Sequence, residues 1–189
     1  MKKWLFNPFI YIAGAKALLI GWGITLVTMA ISFFSHAHFD GVIEMHTSGH
    51  AAPVMVYLIE QIIDWALAVL LFYPGGLLFS RSSIRFIDVA GTMALARWPM
   101  IFVSVIAFGI VSPDSDSVKV VLSHITPLSI ALTFVCLIFS IWMIALMYNA
   151  FRLSCNMKGE KAAFVFIPTL LIAEIASHII LHKIYPHLI

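Results

Sequence analysis

Residues 121–150 read VLSHITPLSIALTFVCLIFSIWMIALMYNA, a stretch without a single Lys, Arg, Asp or Glu. A helix needs about 20 apolar residues to cross the hydrocarbon core of a bilayer, and this run exceeds that length. Strands of a membrane barrel would instead alternate apolar and polar positions in segments of about ten residues. Four more continuously apolar runs occupy residues 11–34, 52–79, 85–111 and 162–184. The predicted fold is all-α: a polytopic membrane helix bundle of about five transmembrane helices, with residues 1–189 forming a single transmembrane domain. Composition agrees, since 62% hydrophobic and 11% charged residues and a mean hydropathy of +1.03 lie outside the soluble globular range.

Turn-forming clusters separate the runs: Phe39-Asp40-Gly41, residues 80–83, Ser112-Pro113-Asp114-Ser115-Asp116 and residues 156–159. The first run is too long for a signal-peptide core and lacks an evident small-residue cleavage site, so it is expected to be a retained span. Pro74-Gly75-Gly76, Pro99, Pro127 and Pro168 fall within the runs and are expected to kink them. Gly14, Gly21 and Gly23 line the first helix and favour close helix packing.

Basic residues set the expected orientation, because Lys and Arg collect in short cytoplasmic loops. Lys2 and Lys3 precede the first run, Arg81 and Arg85 follow the second, and Arg152, Lys158 and Lys161 follow the fourth. In the alternate connections, residues 35–51 hold no Lys or Arg, residues 112–120 set Asp114 and Asp116 against Lys119, and the tail has only Lys183. The predicted topology has the N-terminus cytoplasmic and the C-terminus outside, with Trp4 and Tyr185 as interfacial anchors.

The formal charge of +2, from 11 basic and 9 acidic side chains, is too small for a nucleic-acid surface. Membrane lipids are the expected surroundings. Cys136 and Cys155 are the only cysteines, which leaves no basis for a disulfide framework or a paired-cysteine metal site. No Ser, Cys or Thr nucleophile arrangement and no glycine-rich phosphate loop is evident.

Ionisable groups inside spans are costly and face partners or water, so they are the informative residues. Glu60 and Asp64 stand four apart on the second helix and share a face, about 12 and 18 Å below its outer end. Glu174, His178 and His182 form the same stripe on the fifth helix, and Arg97 on the third lies near mid-depth. Glu60, Asp64, Arg97, Glu174 and His178 are therefore expected to form one buried polar cluster. It is either an ion-pair network holding the bundle together or a proton or ion relay. Asp88, near the cytoplasmic end of the third helix, reads as an N-terminal helix stabiliser or a neighbour of Arg85.

The outer loop carries His36, His38, Asp40, Glu44, His46 and His50 in close succession. Imidazole nitrogens and carboxylate oxygens suit a divalent transition metal such as zinc. The candidate ligands are His38, Asp40 and His46 with Glu60, Glu174 and His178, while a solvated polar loop is the simpler reading. His187 is within reach of this loop, whereas His124 reads as a cap or a solvated residue.

Several segments together carry a resemblance: Asn7-Pro8-Phe9, His38-Phe39-Asp40-Gly41, Ile87-Asp88-Val89-Ala90-Gly91-Thr92 leading to Ala94-Leu95-Ala96-Arg97-Trp98-Pro99, and Met147-Tyr148-Asn149-Ala150-Phe151. With the five-span plan they resemble the bacterial branch of the Yip family, the Ypt/Rab-GTPase-interacting membrane proteins, over nearly the whole chain. Eukaryotic members are linked with vesicle trafficking, GTPase association and membrane shaping. The resemblance implies a non-enzymatic, multi-pass protein of the bacterial inner membrane that organises or scaffolds, with a second copy or other membrane proteins as partners and no cofactor. Two alternatives come from the residues themselves. One is a metal-binding protein or hydrolase with an outward His/Asp/Glu site, and the other is a proton-coupled transporter or channel using Glu60, Asp64 and Glu174.

Overall fold

The third apolar run is the one around which the others pack. The structure, a computed structural model, describes residues 2–110 and 125–187. The expectations for Asp114, Asp116, Lys119 and His124, and for the side chains of Lys2, Lys3 and His187, lie outside the described residues. Five helical segments are long and apolar enough to cross a membrane: Gly14–Ser35, Val54–Phe79, Phe86–Ala107, Pro127–Ser154 and Gly159–Ile184, here the first to fifth spans. The most apolar window of the third is 72% buried, against 22–39% in the others, so the third span is the core. The outer spans turn large apolar side chains outward, among them Leu19, Leu78, Phe134 and Phe164. Such a surface is stable only in lipid, and the chain is a multi-pass integral membrane protein.

Without a hydrophobic force between helices in lipid, close backbone approach and buried hydroxyls supply the contact. The first span packs along the third and the second along the fifth. A Cβ on Gly21 would run into the backbone of Ala94 and Leu95, and one on Gly91 into the backbone of Gly14 and Leu18. Nothing lies near Gly23, which takes no part in this contact. Ser32 and Ser104 share a hydrogen bond of 2.8 Å between the first and third spans, and Thr92 shares one of 2.8 Å with Ser154. The Trp65 indole donates to the Ala90 carbonyl at 3.0 Å, tying the second span to the third.

The four prolines occupy different positions in the spans. Pro99 divides the third span into Phe86–Ala96 and Met100–Ala107, because its ring disfavours helical backbone before it and it lacks an N–H. Pro74 and Pro168 lie inside unbroken helices. Pro127 opens the fourth span rather than interrupting it, in the first turn where an N–H would be unpaired anyway. Thr126 and Ser129 close a capping box there, each side chain serving the other's backbone N–H.

Candidate functional site

The first span stops where His36 takes a left-handed conformation, φ 53°, and reverses the chain. Two-residue strands follow, Ala37–His38 and His46–Thr47, paired antiparallel with His38 opposite His46. Between them the chain turns inward. Ala37, His38, Phe39, Gly41 and Val42 are buried, and Asp40 is partly so. The sequence reading of a solvated polar loop is therefore corrected over residues 37–42. The segment between the strands is neither helix nor sheet, so its buried N–H and C=O groups need partners of another kind.

Charged side chains from three spans provide them. Glu60 of the second span accepts the Phe39 N–H at 3.0 Å through Oε2. Glu174 of the fifth accepts the Ile43 N–H at 2.9 Å. Arg97, at the break in the third span, donates from Nη1 to the Val42 carbonyl at 2.8 Å. The loop is thus stitched into the bundle by two acceptors and one donor, each charge-assisted.

Arg97 and Glu60 are themselves held. Arg97 Nη2 pairs with Asp64 Oδ2 at 3.0 Å, both side chains being buried, and reaches Gln61 Oε1 at 3.4 Å. The other Asp64 oxygen accepts the Ser177 hydroxyl. Glu60 Oε1 receives the Tyr185 hydroxyl at 2.9 Å and lies 2.7 Å from His38 Nδ1. Burial, and next the Glu60 charge, push the Tyr185 phenol far above its usual range, so it stays protonated and donates. The His38 ring is sandwiched between Tyr57 at 4.5 Å and His46 at 5.4 Å.

Toward the loop surface a second group forms around Asp40. Asp40 Oδ1 lies 3.1 Å from His46 Nδ1, and Oδ2 lies 3.9 Å from His178 Nδ1. His178 Nε2 meets Glu44 at 2.9 Å. Burial alone would raise Asp40, but the hydrogen bond and charge of His46 outweigh it and hold the carboxyl below its ordinary value. Hydrogen bonding to Asp40 raises His46 in turn, against the opposing effect of its burial. A cavity of about 280 Å³ opens beside this group, lined by His38, His46, Ser48, His50 and Tyr185 among others.

The five residues expected in one cluster therefore divide into linked parts. Arg97 pairs with Asp64; Glu60 turns to His38 and Tyr185; Glu174 turns to the loop backbone; His178 joins Asp40 and Glu44. Asp88 is elsewhere, in the first turn of Phe86–Ala96 with Arg85 Nε at 3.7 Å. Of the expected metal ligands, His38 meets Glu60 and His46 meets Asp40, but Glu174 serves the backbone. Among the described residues, no three His, Cys, Asp or Glu side chains form a group able to hold a metal ion. Sequence reasoning missed Ser177 and Tyr185. Ser177 is three residues past Glu174, on the same helical stripe, which was the available signal. Tyr185 looked like an interfacial anchor, and nothing in its neighbourhood marked it as a partly buried donor to Glu60. No protein-family model, curated protein or solved structure matches the chain.

Proposed function

We propose that the protein is a non-catalytic, Yip-like scaffold of a bacterial inner membrane, with its N-terminus cytoplasmic and the inserted loop on the outer side. One observation carries this reading: Glu60, Asp64, Arg97 and Glu174 are each engaged by fixed protein partners, the loop backbone, one another, or the side chains of His38, Gln61, Ser177 and Tyr185. Groups committed in this way stabilise one arrangement of the spans, whereas a proton or ion relay needs sites that gain and lose a partner during transport. The bundle then acts as a rigid body that presents its closed loop end and its lipid-facing helices to a second copy or to other membrane proteins. Proteoliposomes provide the test. Passive proton flux should be the same for wild type and for the triple variant Glu60→Gln, Asp64→Asn, Glu174→Gln, while the variant melts lower. Flux that wild type supports and the triple variant loses would overturn the scaffold in favour of a transporter.

A second reading rests on two of the three imidazoles that line the cavity, those of His38 and His46. Glu60 holds His38 through Nδ1 and Asp40 holds His46 through Nδ1, the carboxylate–imidazole arrangement that orients histidines toward a metal. In this reading the stacked rings would have to turn Nε2 of each toward one zinc, and a further protein ligand beside water would complete the site. Near-stoichiometric zinc after mild purification, lost in His46→Ala, would favour it. Zinc well below one per chain, unchanged in that variant, would sink it.

A further inference from the structure

The opposite end of the bundle holds a second polar site that the loop chemistry does not involve. A cavity of about 100 Å³ lies between the segment before the first span and the turn joining the fourth and fifth. Arg152, Lys158, Asn7, Asn149 and Asn156 line it, and among the described residues no carboxylate does. Two cations and three carboxamides around one small space form a donor-rich pocket, with Glu160 in the first turn of the fifth span as the acidic group next to it in sequence.

Its parts are fixed by the surrounding fold. Asn149 donates to the Phe6 carbonyl at 2.9 Å and so brings Asn7 to the cavity. Asn156 takes the left-handed turn after the fourth span, φ 47°, and donates to Ser82 at 2.8 Å. The Arg152 guanidinium stands 5.9 Å over the Tyr148 ring. Lys158 is the N-cap of the fifth span and gives it no side-chain cap, so the first-turn N–H groups add a positive pole that Glu160 in the same turn partly offsets. The fourth span ends nearby with its negative pole, which Arg152 in the last turn offsets.

The geometry points to a binding site for a phosphate-type anion, held by Arg152 and Lys158 and oriented by the carboxamides of Asn7, Asn149 and Asn156. The anion is either the headgroup of an acidic phospholipid or free phosphate. Exposed Leu153 lies on the same lining, which gives an acyl chain an apolar edge to follow. This site is independent of the scaffold proposal, since none of its residues touches the inserted loop.

The test uses the full chain purified in a neutral detergent, with native mass spectrometry counting bound phosphatidylglycerol, phosphatidylcholine as control lipid, and inorganic phosphate as competitor. One phosphatidylglycerol should be retained in preference to phosphatidylcholine. Arg152→Gln with Lys158→Gln should weaken it on the order of tenfold. Asn156→Asp, which keeps the left-handed turn and adds a negative charge to the pocket, should weaken it as well. Arg81→Gln with Lys161→Gln, at the same end but outside the lining, should change it less than twofold. Displacement by millimolar phosphate identifies the free anion as a sufficient ligand, and resistance to it identifies the lipid headgroup. Equal loss in the Arg81/Lys161 pair, or no loss in the Arg152/Lys158 pair and in Asn156→Asp, would overturn the site.

Discussion

The carboxylate of Glu174 occupies the space that a Cβ on Gly41 would fill, and from there it accepts the Ile43 N–H at 2.9 Å. Gly41 does not have a positive φ, so its need for glycine is one of space rather than of backbone conformation. The missing side chain at position 41 leaves room for the Glu174 carboxylate against the loop. Gly41→Ala should displace the Glu174 carboxylate, leave a buried N–H poorly paired and lower stability by about 1–3 kcal/mol. Thermal unfolding in detergent checks this. A double-mutant cycle with Glu174→Gln should give less than the sum of the single losses, because both changes remove one interaction. Strict additivity would separate the two residues.

Glu60 should be the costliest carboxylate to remove. It serves the Phe39 N–H, the Tyr185 hydroxyl and the His38 ring, and it is fully buried. Glu60→Ala strands several donors, each costing about 1–3 kcal/mol when left unpaired. Glu60→Gln keeps one acceptor but turns an NH2 toward another donor, so it should fall between Glu60→Ala and Tyr185→Phe. The last variant removes a single hydrogen bond worth about 1 kcal/mol. Melting temperatures out of this order would mean that the loop backbone has other partners.

The five spans were legible because the hydrophobic signal of a membrane helix is long and continuous. Residues 37–42 were not legible, for a physical reason. A buried loop of six residues has no period, and His38 and Asp40 beside Phe39 and Val42 read as an ordinary polar connection. What betrays it lies far away in sequence, in Glu60, Arg97 and Glu174. Their depths showed that they could meet, as Arg97 and Asp64 do, but not that their partners included main-chain atoms. Side-chain periodicity carries no information about backbone acceptors.

Arg97 answers two groups at once, the Val42 carbonyl and Asp64, from the two ends of a planar fork. A lysine ammonium is a single point and cannot span both. Arg97→Lys should therefore cost about 1–3 kcal/mol despite keeping its charge. Arg97→Ala should cost about 3–5 kcal/mol, because it leaves Asp64 buried without its cation. Adding Asp64→Asn to Arg97→Gln should recover part of that loss. If Arg97→Lys melts like wild type, the contact with Val42 contributes nothing.

The pair of Asp40 and His46 makes loop stability depend on pH in a calculable direction. His46 binds its proton more tightly in the folded chain than its ordinary value of 6.5, through Asp40 and the charges of Glu60 and Glu44. Its contribution is complete below 6.5 and disappears as pH rises through the raised value. Asp40 is shifted below its ordinary 3.8, so its contribution is complete above 3.8 and disappears as pH falls through the lowered value. The two together are strongest between these ordinary values. Hydrogen exchange of residues 39–45 followed against pH should show greatest protection in that window and a decline on the alkaline side. His46→Ala should remove the alkaline decline while leaving the exchange of the fourth span unchanged. A decline that persists in His46→Ala would assign the titration to another group near the loop, such as His178 beside Glu44 and Asp40 or His38 stacked on His46.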